Sequence, residues 1–139
     1  HRVTALVREA RRAAIERPVR AAALLARRDG KAEKISGPDV TAVAIEGDEL
    51  GVELLAELGT WIGSGCASLA AVLDPEAFVI GGGVIAAGDL LVEPARASYL
   101  EHLPARGHRP LAPIVAADMG NDAGIVGAAA LARIHGAGE

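Results

Sequence analysis

Aromatic side chains are nearly missing from this sequence: Trp61, Phe78 and Tyr99 are the only three in 139 residues. A core built without them relies on Ala, Val, Leu and Ile, and must reach interior packing density by bringing backbones close together. The scarcity also leaves almost nothing for nucleobases to stack on, which argues against a binder of single-stranded nucleic acid. Cysteine occurs once, at Cys66, so neither an internal disulfide nor a thiolate set for a structural zinc can form. Cys66 lies in an apolar run, where a buried, inert thiol is expected rather than a nucleophile. No uncharged apolar run is long enough for a membrane span of about 18–20 residues; the longest, Leu58 to Leu73, has 16 residues and includes several Gly and Ser. With no signal peptide in view, a soluble, cytoplasmic protein is expected. Also missing are a Gly-Lys-Ser/Thr phosphate loop, the G-x-G-x-x-G spacing, H-E-x-x-H, a Ser/His/Asp elbow and paired carboxylates. Walker-type, dinucleotide-binding and zincin chemistries therefore have no sequence support.

Charge is present but unevenly spread. The net charge is −4, yet residues 1–28 hold eight Arg and two Glu, a balance of +6, which leaves −10 for the remainder. Such a basic segment can seek an anionic partner, but a solvated, Arg-rich helix face is the expected reading. The chain opens at His1 rather than Met and enters a helical pattern at once, as a piece of a longer polypeptide would.

Val3, Leu6, Val7, Ala10 and Ala14 recur with helical spacing, predicting an amphipathic helix over 3–16 that Pro18 terminates. A second helix runs to about Arg28, closed by Asp29-Gly30, and residues 29–37 read as a polar surface connection. Ser36-Gly37-Pro38-Asp39 is a helix-start signal for a short helix to about Glu46. The longest periodic segment spans Glu49 to Leu73, with Leu50, Leu54, Leu58, Trp61, Ile62, Leu69, Val72 and Leu73 on one side. Its glycines (Gly51, Gly59, Gly63, Gly65) each cost up to about 1 kcal/mol relative to Ala, so close packing against another backbone is expected to keep them. Asp89 to about Leu103 reads as a helix weakened at Pro94, Pro104 to Pro110 as a polar loop, Pro113 to Ala117 as a strand, and Ala123 to His135 as a final helix capped by Asn121-Asp122.

The rest is arranged around Asp74 to Leu91. A Asp74-Pro75-Glu76 turn feeds Ala77-Phe78-Val79-Ile80, a short apolar run of the kind buried on both faces of a parallel sheet. Gly81, Gly82 and Gly83 follow directly. Ligands in open α/β sheets sit at the carboxyl ends of strands, and unhindered N–H groups there can receive a phosphate or a base edge. A tight turn with no ligand fits the triplet equally well. Nothing else converges: His1, His102, His108 and His135 are widely separated and expected to be solvated, Asp74 shapes its turn, and Asp89 and Asp122 read as helix caps. The two strands, joined by a crossover long enough for parallel pairing, make a poor sheet on their own.

LAAVLDPEAFVIGGGVIAAGDLLVEPAR followed by MGNDAGIVGAAALAR resembles the carboxy-terminal part of the ROK family of bacterial sugar kinases and repressors, its glucokinases above all. ISGPDVTAVAIEGDELGVELLAELGTWIGSGCASL and TALVREARRAA extend the similarity from about Thr4 to Arg133. The resemblance implies an α/β fold, the carboxy-terminal lobe of an actin-like (RNase-H-like) ATPase, with an incomplete sheet and helices dominating. It implies a single partial domain over 1–139, transfer of the ATP γ-phosphate to the 6-hydroxyl of a hexose with Mg²⁺ present, and a homodimer in full-length form. The family's glycine loop lies against the adenosine part of ATP, which assigns Gly81, Gly82 and Gly83 to that pocket. The family's Asp-x-Gly-Gly-Thr phosphate loop, catalytic Asn-Asp pair, Glu-x-Gly-His sugar motif and zinc-binding Cys-x-Cys-Gly-x-x-Gly-Cys are all absent and would lie before His1. At His1-Arg2-Val3 the family more often has Ala-Ser-Gly. No catalytic residue, metal ligand or independent kinase activity is expected in this chain, and neither a membrane nor nucleic acid is an expected partner. The corresponding part of a ROK-type repressor, or a non-catalytic fragment, is the alternative.

Overall fold

The computed structural model describes residues 2–104, 107, 110–118 and the single positions 125, 129 and 133. Helix α1 (Arg2–Glu16) stops just ahead of Pro18, and a short α2 (Ala22–Ala26) follows. Asp29 and Gly30 take left-handed conformations (φ 52° and 75°), and the Gly30 N–H donates to the Leu25 carbonyl at 2.9 Å. The connection beyond them is not the plain surface loop its polar residues predict. A 3-10 turn at Ala32–Lys34 delivers Ile35 into the core, where it is 0% exposed, and Arg11 Nε donates to its carbonyl at 3.0 Å. Ile35, beside Lys31, Glu33 and Lys34, pins the loop down together with the Arg11 hydrogen bond.

Helix α3 (Gly37–Ile45) starts at the predicted signal with Ser36 as its N-cap. Asp39 Oδ2 accepts from the Ser36 N–H at 2.7 Å, from Ser36 Oγ at 2.6 Å and from Arg28 Nε at 2.8 Å. Burial opposes the charge on Asp39, but the Arg28 and Ser36 hydrogen bonds and the Arg28 charge outweigh it and hold the carboxyl below the usual carboxylate range. The basic first segment does not simply face water: Arg12 meets Glu9, Arg20 meets Glu53 (both 2.7 Å), Arg27 meets Glu46 and Arg28 meets Asp39. The exposed pairs among these are each worth under about 1 kcal/mol, but Arg20, Arg27 and Arg28 set the excess of Arg against carboxylates from later in the chain.

Helix α4 (Glu49–Leu73) is capped by Asp48, whose Oδ1 accepts from the Gly51 N–H at 2.9 Å, and ends at Asp74 with φ 45°. Its first turns pack on α3 and its middle turns pair with α5 (Asp89–His102). The expected reason holds for three of the four glycines, Gly51, Gly59 and Gly63. A Cβ on Gly59 would come 2.5 Å from the Leu91 carbonyl oxygen, one on Gly63 would overlap the Ala95 carbonyl and one on Gly51 would sit 2.8 Å from the Ala44 nitrogen. Ser98 Oγ donates across the seam to the Thr60 carbonyl at 2.8 Å. Pro94 does not break α5; its ring packs toward Gly59. By length and mean hydropathy (1.2 over 18 residues) α4 could cross a membrane, but its glycine face serves here as the axis of the core. Trp61, Leu69, Val72 and Leu73, expected on the buried side, are exposed, because α1 covers only the first half of that face.

Strands β1 (Phe78–Ile80) and β2 (Ile114–Ala116) pair in parallel, with Phe78 opposite Ile114, Val79 opposite Val115 and Ile80 opposite Ala116. Phe78, Ile80 and Ile114 join Cys66, Ala67, Ala70, Val92 and Tyr99 in one cluster, and the Phe78 and Tyr99 rings meet edge-on at 5.7 Å. The opposite face is bare among the described residues: Val79 is 66% and Val115 37% exposed. The expectation of burial on both faces is therefore corrected, since α4 and α5 cover only one. Arg96 of α5 donates from Nε (3.0 Å) and Nη2 (2.8 Å) to the Ile114 carbonyl, which the register points away from β1. The predicted helix over 123–135 and the loop around His108 and Arg109 lie outside the described residues, save for the single positions 107, 125, 129 and 133.

Two outcomes follow. Gly63→Ala must part α4 from α5 and is expected to lower stability by about 3 kcal/mol, measured by urea unfolding. Because the Asp39 pKa is lowered in the folded chain, its contribution is complete above about pH 5 and is lost as pH falls below about 4 and through the folded value. Asp39→Ala is expected to cost about 1–2 kcal/mol at pH 7 and distinctly less at pH 3, read from paired denaturation curves.

Candidate functional site

The two parallel strands end side by side. The Ala117 N–H donates to the Ile80 carbonyl at 2.8 Å, so the ladder runs one step past β2 before both chains turn away. On β1 the next residues are Gly81, Gly82 and Gly83; on β2 they are Ala117 and Asp118. The triplet is exposed and leads into a 3-10 turn (Gly83–Ala87) closed by Ile85 N–H donating to the Gly82 carbonyl at 3.1 Å. Val84 and Ile85 pack against the core that contains α3, so the loop is bare on one side and anchored on the other.

Of the three, only Gly82 needs glycine for its backbone conformation. Gly82 has φ 95° and ψ 178°, a region open to almost no residue but glycine. A Cβ there, or on Gly83, would meet nothing within 4 Å, whereas one on Gly81 would touch the Ala117 Cβ at 3.5 Å. The loop thus offers backbone to solvent at the carboxyl end of a parallel sheet, where α/β folds receive ligands. Asp89 stands next along the chain as the first residue of α5, with Gly88 in the cap position. The N-cap role expected of Asp89 is therefore corrected: Gly88, with φ 54°, takes the turn that a side chain would resist.

Among the described residues, side chains suited to acid–base or metal chemistry do not gather at this loop. No group of three or more His, Cys, Asp or Glu is placed to hold a metal ion among the described residues. Cys66 is buried, and burial pushes its thiol up from the usual range, consistent with an inert packing residue. His102 is tied to its own helix, its Nδ1 lying 2.9 Å from the Ser98 carbonyl. His1, His108, His135 and Asp122 lie outside the described residues. Sequence reasoning missed the neighbour of the triplet, Ala117-Asp118, because only the register of the two strands brings that segment alongside.

Residues 10–135 match the sequence model of the ROK family. The glucokinase of Streptomyces coelicolor is 45% identical over 129 residues, which cover 93% of this chain and 41% of that protein. The glucokinase of Halalkalibacterium halodurans is 33% identical over 93 residues, covering 67% of this chain and 28% of that one. A crystal structure of a ROK family glucokinase from Streptomyces griseus, in complex with glucose and AMPPNP, superposes with a TM-score of 0.85 at 43% identity, over 94% of this chain and 42% of the other. A candidate sugar kinase from Cytophaga hutchinsonii gives a TM-score of 0.70 at 28% identity, over 93% of this chain and 41% of that one. The chain spans about two fifths of the length of the Streptomyces glucokinase it matches.

The backbone of the loop gives a direct test. Gly82→Ala is expected to cost about 1–3 kcal/mol, while Gly83→Ala, with open space around it, should cost under about 1 kcal/mol. Equilibrium unfolding of the two variants separates them.

Proposed function

The chain belongs to the ROK family, and on that premise we propose that it is the nucleotide-side, carboxy-terminal lobe of a glucokinase-type hexose kinase. The complete enzyme would move the γ-phosphate of ATP to the 6-hydroxyl of glucose. The observation that carries this reading is the close superposition, at a TM-score of 0.85, on a glucokinase holding glucose and AMPPNP, with an exposed glycine triplet at the carboxyl end of a parallel strand. Residues 1–139 form one partial domain in this reading.

The part played by the chain is positioning. Gly81, Gly82 and Gly83 would line the adenosine side of the nucleotide pocket, where a backbone stripped of side chains admits a flat purine and the anchored turn keeps the wall in place. Phosphoryl transfer also needs charge neutralisation and a base or orienting group at the acceptor hydroxyl, and neither is assembled among the described residues. Among the described residues no ligand set fits Mg²⁺ or the zinc of the family, and no step through either is assigned to this chain. Taken alone, it is a nucleotide-binding lobe without kinase activity. In the full-length protein the partners would be ATP and a hexose, within a cytoplasmic homodimer that needs neither membrane nor nucleic acid. The ROK-type repressor reading has no observation in its favour.

Isothermal titration tests this. The chain should bind AMPPNP weakly, with a dissociation constant on the order of millimolar (about −4 kcal/mol), give no heat with glucose and phosphorylate no sugar. Gly82→Val should abolish the nucleotide signal while leaving the α4–α5 core folded by far-UV circular dichroism. Sugar phosphorylation by the isolated chain, or equal AMPPNP binding by Gly82→Val, would overturn the proposal.

A further inference from the structure

One face of α4 carries Leu54, Leu58, Trp61, Gly65, Leu69 and Val72 at helical spacing. It is covered along only part of its length. Leu54 and Leu58 are buried, whereas Trp61, Leu69 and Val72 are 55%, 49% and 81% exposed. The covering element is α1, and its direction can be read from its neighbours. Ala5, Leu6 and Glu9 line an apolar groove of about 260 Å³ with Leu54, Leu58 and Trp61. Arg12, Ala13 and Arg17 lie beside Leu50, Glu53 and Leu54. Helix α1 therefore runs opposite to α4, and its first turn stands where the bare stretch begins. Traced back from Ala5, the path of α1 heads toward Gly65, Leu69 and Val72.

We infer that, in the longer ROK polypeptide, the residues leading into α1 lie along this stretch of α4 and cover Leu69 and Val72. The inference rests on the reading of the chain as part of a longer kinase, which the 41–42% coverage of glucokinases supports. The stretch to be covered, Trp61 to Val72, is about 16 Å along the helix, or three turns. Gly65, without a side chain, lets a backbone approach the middle of the stretch, as Gly59 and Gly63 do for α5 on the adjoining face. A covering segment joined to α1 also loses far less freedom on docking than a separate molecule would. Leu69 and Val72 are then interior residues of the full-length protein, and the groove beside Trp61 is the seam between α1 and what precedes it.

The experiment is thiol labelling, which is read without kinase activity. In a Cys66→Ala background, Leu69→Cys and, as a second probe, Val72→Cys are placed in this chain and in the same chain extended upstream to full glucokinase length. Maleimide labelling at either position is expected to be at least tenfold slower in the extended protein, and independent of protein concentration in both. Equal labelling in the two forms overturns the inference. Labelling of the short chain that slows as its concentration rises also overturns it, since a second copy would then be the occupant. Loss of AMPPNP binding would count against the kinase reading and leave the labelling result standing.

Discussion

Everything in the fold hangs on the approach of α4 to α5. Two helices carrying ordinary side chains pack with axes about 8–10 Å apart, and at Gly59 and Gly63 the neighbouring carbonyls occupy the space a methyl group would need. The sequence has too few large side chains to fill a wider gap, so the closeness of the helices takes the place of aromatic bulk. The Ser98 hydroxyl then reaches the Thr60 carbonyl directly, a contact that a looser seam would leave to water. From this pair the sheet is positioned: Phe78, Ile80 and Ile114 lie against it, and the two strand ends emerge together at one edge.

How the chain reads as a sequence follows from which forces are local. Helix boundaries were legible because caps and breakers act within a few residues: Ser36 and Asp39 start α3, Asp48 starts α4, and Pro18 lies just beyond the end of α1. The glycines of α4 were legible as a cost needing a reason, though the partner was not. What stayed hidden depended on other parts of the molecule. Ile35 sits in a run whose neighbours advertise a surface loop, and only the packed structure reveals it at 0% exposure. The outer faces of β1 and α4 look like core by pattern, but pattern records the environment a residue is suited to rather than the one present.

The glycine triplet shows the same division. Its position after a strand was plain from the sequence, whereas the demand for glycine at Gly82 lies in a backbone geometry (φ 95°, ψ 178°) that no composition reveals. Ala117-Asp118, separated from the triplet by all of α5, became its neighbour only through the strand register. Assigning the triplet to a nucleotide rests on the likeness to the glucokinases, since an exposed glycine loop alone fits several ligands.

The bidentate grip of Arg96 on the Ile114 carbonyl makes the sheet directional. An acceptor already engaged by a guanidinium is a poor docking point for an incoming strand, so the outer rim of β2 resists extension. The rim of β1 has no such guard among the described residues. Any further strand, whether from the same polypeptide or from a stray neighbour during folding, is steered toward the β1 side of the pair, and the risk of mispairing lies chiefly at that border.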